Sequence, residues 1–263
     1  MSAAESVDSS VPWVLIHDEG ASRVLTLNRP TKRNALSDAL LAELCSAIEA
    51  AQADDAVRSI VVRGAGSSFC SGRDQADMGR GTAGQVVLQD ESLERTVGIF
   101  TRALRLLMHS PKPTIAAVHG HALAGGQALS LACDFVVAER NAQFGNPEIR
   151  YGFPAAMNTV LLARHLGRRK ALEIAITGNT WLAEEYAALG LVNRLTEPGA
   201  LDLGVRSFCE NLNVLAPWAV RRTKQLLMAA EDMGLDELLA SGDGLNQLLR
   251  LNAQIQGLFQ DKV

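Results

Sequence analysis

No hydrophobic run in the sequence reaches the roughly 18 residues that a membrane-spanning helix needs. Positive charge is not in excess: the formal net charge is −4, which gives no reason to expect nucleic acid as the main partner. The 4 cysteines, Cys45, Cys70, Cys133 and Cys209, are scattered, with no CxxC and no zinc-like spacing. That favours reduced thiols in a cytoplasmic protein over a disulfide framework or a metal centre. The first residues, MSAAESVDSS, are polar and acidic, unlike a signal or transit peptide. Internal repeats and low-complexity segments are also missing. The expectation is a soluble protein that acts on neither membranes nor nucleic acid.

What is present is ordinary for a globular chain. Hydrophobic residues make up 48% and charged ones 21% of 263 residues, ample for a sizeable core. A flexible tail is expected over residues 1–12. Trp13 to His17 and Arg23 to Asn28 read as a hairpin around Asp18-Glu19-Gly20. Ser37 is a plausible N-cap for a helix with Leu40, Leu44, Ala47 and Ala51 at helical spacing. Arg58 to Arg63 is a β-branched strand, followed by loop sequence to about Gly84. Leu93, Val97, Phe100, Leu104 and Leu107 predict an amphipathic helix that Pro111 and Pro113 end. Phe135 to Ala138 predicts a strand, 157–166, 168–177 and 183–189 predict helices, and Leu191 to Leu195 predicts another strand. Beyond residue 199 only helical patterns occur, broken near Pro217, Gly234 and Gly242-Asp243-Gly244. Strands alternating with helices predict an α/β core over 13–198, with a helical region over 199–263 that packs on the core or on another subunit.

The stretch that organises the chain is TIAAVHGHALAGGQALSLACD, Thr114 to Asp134. A short apolar strand crosses a small-residue turn, Gly120 to Gly126, into an alanine- and leucine-rich helix. Such a junction leaves the N–H groups of the first helical turn without partners, at the positive end of the helix dipole. Gly125 and Gly126 would let a ligand carbonyl approach the backbone; a tight connection needing glycine only for its geometry is the alternative. A second loop, FCSGRD (Phe69 to Asp74), and the carboxylate of Glu148 complete a constellation. Two N–H groups from separate loops plus one carboxylate suit chemistry at a carbon beside a carbonyl. The N–H pair stabilises an enolate oxygen and the carboxylate moves the proton.

At this point the chain resembles the enoyl-CoA hydratase/isomerase family, the crotonase superfamily. The carriers are LNRPTKRNAL (27–36), SSFCSGRDQADM (67–78), AAVHGHALAGGQALSLACD (116–134), AQFGNPEIRYGFP (142–154), ALEIAITG (171–178) and ALGLVNRL (188–195). The resemblance implies an α/β spiral of stacked ββα units with C-terminal helices used in a homotrimer or homohexamer. It implies an acyl-CoA thioester substrate and no separate cofactor or metal. It assigns the oxyanion hole to the backbone N–H groups of Arg73 and Gly125. Arg29 and Lys32 fall where relatives meet the CoA phosphates, although a charge run at a turn is as readily a solvated loop. Ser71, Gly72, Arg73 and Asp74 fall where the backbone cradles the adenine.

One departure bears on the reaction. Hydratases of the family carry two glutamates; the second is retained as Glu148, but Ala128 stands in place of the first, preceded by Gln127. A methyl group cannot orient water. One carboxylate suffices to take a proton from one carbon of an enolate and return it to another, so isomerisation leads hydration slightly. Gln127 holding a water, hydrolysis or cleavage of another CoA ester, and an acyl-CoA binding protein with weak chemistry are the alternatives. The dienoyl-isomerase variant is discounted, since Ala156 occupies its extra acid position. His119, His121 and Asp134 read as structural, and Asn158 as a weaker candidate for reaching the site.

Overall fold

The computed structural model describes residues 11–74, 91–230 and 233–255. The expected N-terminal tail up to residue 10 and the expected loop beyond Asp74 lie outside these residues. The strands are β1 (Val14–Glu19), β2 (Ser22–Leu27), β3 (Ser59–Gly64), β4 (Thr114–Val118), β5 (His121–Leu123), β6 (Phe135–Glu139), β7 (Gln143–Gly145), β8 (Thr180–Leu182) and β9 (Arg194–Thr196). The helices are α1 (Asp38–Ala53), α2 (Glu91–Met108), α3 (Gly125–Leu131), α4 (Ala156–His165), α5 (Arg168–Ile176), α6 (Ala183–Ala188), α7 (Leu201–Asn213), α8 (Pro217–Ala229) and α9 (Leu235–Ile255).

Six strands form one sheet in the order β1-β2-β3-β4-β6-β9, parallel throughout except for the β1–β2 hairpin. Parallel sheets are covered on both faces, and the alternation of side chains shows how. Leu25, Leu27, Ile60, Val62, Ala116, Val118, Val136 and Ala138 enter the main core. Their neighbours Val24, Val61, Ile115, Ala117 and Val137 enter a second cluster, closed by Leu201, Val205 and Cys209 of α7. The two compact units therefore divide between Leu215 and Ala216, later than the boundary near 199 expected from composition, because α7 covers a face of the sheet.

Ser37 caps α1, its Oγ accepting from the Leu40 N–H at 3.2 Å, a contact worth about 1 kcal/mol. The strand expected over Leu191–Leu195 begins at Arg194, while Leu191 and Val192 are buried in the core. In the second unit, chain breaks fall near Pro217 and Gly234 as expected, but not at Gly242–Gly244. There α9 runs unbroken from Leu235 to Ile255. Helix-interior glycine costs only about 1 kcal/mol each, which the leucine-rich flanks offset. No helix among the described residues is long and apolar enough to cross a membrane.

Candidate active site

A second, smaller sheet, β5-β7-β8, builds the site. Here β5 and β7 run parallel, with Ala122 opposite Phe144. Cys70 forms a further parallel bridge with Ala122. Three chain segments thus run side by side in one direction, and their continuations emerge at a common edge. Arg73, Gly125 and Glu148 all lie a few residues past the matched ones. Ligand sites in parallel sheets form at such carboxyl ends of strands.

The segments close tightly. A Cβ on Gly126 would lie 2.3 Å from the carbonyl oxygen of Cys70, so that glycine serves the close approach of the 70–73 segment rather than a ligand. A Cβ on Gly125 would lie 3.2 Å from the backbone nitrogen of Arg73. Leu36 donates to the Gly72 carbonyl (2.8 Å) and accepts from the Asp74 N–H (3.0 Å). In such a parallel bridge the intervening N–H, that of Arg73, points away from Leu36. Gly125 is the first residue of α3, whose N–H has no intrahelical acceptor. Among the described residues, neither N–H donates to a backbone acceptor outside regular elements. Ala124, which introduces Gly125, holds φ 49° and ψ −120°, a conformation costly for a residue with a Cβ.

Glu148 sits in a short 3₁₀ turn, Pro147–Tyr151, that Gly152 ends at φ 83°. Its Oε2 atom is buried with no hydrogen-bond partner among the described residues. Burial pushes its pKa above the ordinary carboxyl value, while its own backbone N–H and the Asn158 side chain pull it down less strongly. A carboxylate held partly desolvated in this way is a stronger base than a free one, which suits proton transfer.

Behind these groups lies a polar network that spacing in the sequence did not announce. The buried Gln127 donates from Nε2 to Asn158 Oδ1 (3.1 Å) and Asn146 Oδ1 (3.3 Å). Its Oε1 accepts from the Tyr186 hydroxyl at 2.8 Å. Asn158 Nδ2 donates to the Ala124 carbonyl at 2.8 Å. Both donors of Gln127 are committed, and of the two acceptor sites on its Oε1 the Tyr186 hydroxyl takes one. Ala128 beside it is fully buried.

This arrangement has counterparts among known proteins. The family model described as enoyl-CoA hydratase/isomerase matches residues 19–256. A Thermus thermophilus protein with a provisional enoyl-CoA hydratase name is 37% identical over 220 residues, 84% of this chain and 85% of that one. The chain belongs to the enoyl-CoA hydratase/isomerase family. The 1,2-epoxyphenylacetyl-CoA isomerase of Escherichia coli is 31% identical over 228 residues, covering 86% of each chain. A solved enoyl-CoA hydratase structure from Mycobacterium smegmatis superposes with a TM-score of 0.83 at 32% identity, over 92% of this chain and 91% of that one. The ββα order of this chain is the crotonase fold.

The cationic turn lies beside the FCSGRD loop in this family member. Asn34 ties them together, its Nδ2 donating to the carbonyls of Ala65 (2.9 Å) and Ser68 (2.7 Å). The Ser71 N–H donates to Arg33 O at 2.9 Å, and Ser71 Oγ to Lys32 O at 3.3 Å. Gly72, at φ 106°, has no room for a side chain: its Cβ would meet that of Ala124 at 2.9 Å. The two cations differ. Arg29 is largely buried, paired with Asp74 at 2.8 Å, donating to Ala35 O at 2.6 Å and stacked on Trp13. Lys32 is exposed. The Arg73 side chain turns to Asp38 at 2.7 Å, leaving its backbone as the part that faces Gly125.

The remaining candidates hold the scaffold. His119 Nε2 donates to Gly66 O at 2.9 Å, and His121 Nδ1 lies 3.3 Å from Ser68 Oγ. Asp134 Oδ2 accepts from both the backbone N–H and the hydroxyl of Thr114, at 2.8 and 3.0 Å.

Proposed function

We propose that the protein acts on an enoyl-CoA thioester through a thioester enolate, with double-bond isomerisation favoured over hydration. The observation that carries this reading is the approach of the Arg73 and Gly125 backbone nitrogens beside a single desolvated carboxylate, Glu148, with buried Ala128 where hydratases hold a second one.

The thioester oxygen sits between the two N–H groups, which strengthen their hold as negative charge develops there. Glu148 takes the proton from the carbon next to the carbonyl. The C–H electron pair moves into a dienolate conjugated with the existing double bond. Glu148 then returns the proton two carbons further along, and the double bond ends beside the thioester. No water is consumed and no second acid is needed. The CoA moiety runs along the cationic turn, with Lys32 facing the phosphates and the 71–74 backbone facing the adenine. CoA belongs to the substrate, so the proposal calls for no further cofactor.

The test is to incubate purified protein with saturated, 2-enoyl and 3-enoyl CoA thioesters in deuterated water and to follow products by mass spectrometry. The expected result is interconversion of 3- and 2-enoyl esters with deuterium uptake, reduced about 100-fold or more in Glu148→Gln. Mass gain by one water as the main outcome would favour hydration. CoA-ester binding without Glu148-dependent conversion would leave a binding protein.

A further inference from the structure

We propose that Asn158 is a positioning residue that holds the Ala124–Gly125 peptide, and with it the Gly125 N–H, in one fixed orientation. Its own orientation is imposed from behind by Gln127 and Tyr186. The inference rests on the proposed reaction site.

The orientation of each amide follows from the atoms that can only accept. The Ile174 carbonyl takes a hydrogen bond from Asn146 Nδ2 at 3.2 Å. Asn146 Oδ1 is therefore its acceptor side and must receive from Gln127 Nε2. That makes Gln127 Oε1 an acceptor, matched by the Tyr186 hydroxyl at 2.8 Å. The remaining Nε2 hydrogen of Gln127 goes to Asn158 Oδ1. Asn158 Nδ2 then faces forward as a donor with two hydrogens. One goes to the Ala124 carbonyl at 2.8 Å. With backbone carbonyls at both ends, every amide in the series has a single consistent orientation.

The placement has one consequence at the reacting end. The Ala124 carbonyl and the Gly125 N–H belong to one planar peptide unit. Holding the oxygen fixes the direction of the N–H, and it does so at a residue whose φ of 49° is strained and needs support. Asn158 and Gln127 are buried, and Tyr186 is fully buried with its ring stacked on Phe144 at 4.6 Å.

The test compares Asn158→Leu and Tyr186→Phe with the parent. Asn158→Leu keeps the volume and removes the donors; kcat should fall about tenfold or more with KM within about twofold. Tyr186→Phe, which keeps the ring stack, should show the same split in smaller measure. The amide resonance of Gly125 in glycine-labelled protein, assigned with Gly125→Ala, should shift in both variants, and it reads the orientation of the peptide without turnover. Absence of any Glu148-dependent conversion in the parent would remove the proposed reaction while leaving this resonance to decide on Asn158. The positioning role is overturned if Asn158→Leu leaves the Gly125 resonance unmoved or, should that variant not fold, if Tyr186→Phe does.

Discussion

Gly125 and Arg73 stand so close that a Cβ on the glycine would lie 3.2 Å from the arginine's backbone nitrogen. They come from loops more than fifty residues apart in the chain, brought together because Cys70 and Ala122 pair in parallel. Gly125→Ala would place a methyl group where, on the proposed reading, the two N–H groups face the thioester oxygen. The expected outcome is a loss in kcat of about 100-fold, comparable to removing one oxyanion donor, with an unchanged circular dichroism spectrum. Full turnover in a folded Gly125→Ala variant would place the anion site elsewhere.

The two cations of the 28–34 turn should separate in their effects. Lys32→Ala should weaken CoA-ester binding severalfold at low salt and much less at high salt, since exposed charges are screened. Arg29→Ala removes a guanidinium already committed to Asp74, Ala35 and Trp13. It should lower the melting temperature, with a binding change that depends little on salt. Titration calorimetry at two ionic strengths, beside thermal unfolding, distinguishes the two; identical behaviour of both variants would contradict the division.

Ala124 carries a backbone strain that glycine would relieve. Its φ of 49° and ψ of −120° lie outside the favoured regions for a residue with a Cβ. Ala124→Gly should raise unfolding free energy by about 1 kcal/mol if strain relief exceeds the entropy that glycine adds to the unfolded chain. Denaturant unfolding measures it, and a clear loss of stability would mean that the alanine methyl contributes more packing than strain.

Assembly and chain length can be tested together. We expect a trimer or hexamer in sedimentation, given exposed apolar side chains such as Tyr151, Phe153 and Val160 on the first unit. Truncation after residue 199 strips Leu201, Val205 and Cys209 from the sheet and should give insoluble protein. Truncation after Leu215 keeps them and should stay folded. A well-folded monomer of the full chain would refute the assembly, and a soluble folded 1–199 fragment would refute the role of α7.

Much of this was legible in the sequence where signals are local. Val61, Ile115 and Val137 lie in runs apolar enough to mark buried strands, and Ser37 marks its helix start by cap chemistry. Strands β5, β7 and β8 span three residues each, too short to show a period of two, yet β5 and β7 set the register that aligns the site. The motifs around Phe69–Asp74, Gly125 and Glu148 pointed to the residues, but not to the Cys70–Ala122 pairing that joins them. The network through Gln127 was invisible for a similar reason. Asn158 and Tyr186 meet it only because α4 and α6 pack behind α3, a tertiary relation without sequence spacing. At Gly242–Gly244 the local signal misled, since helix propensity is weak beside the residues that flank it.

The ionisation of Glu148 should itself be visible in stability. Burial raises its folded pKa above the ordinary 4.5, while the unfolded chain retains the ordinary value. Between those two values the folded state binds more protons than the unfolded one, so stability falls as pH rises through that window. Below it both states are protonated and the penalty is absent; above the folded pKa it is fully present. A glutamine side chain does not titrate, so the Glu148→Gln variant should melt higher than the parent at neutral pH. At pH values of about 4 and below the two proteins should converge, since both side chains are then neutral. Thermal unfolding of both proteins across that range gives the difference directly. A gap of the same size at both ends, or a parent that is the more stable at neutral pH, would show that the carboxylate is not held at a desolvation cost. Glu148 would then lose its main physical qualification as the proton carrier.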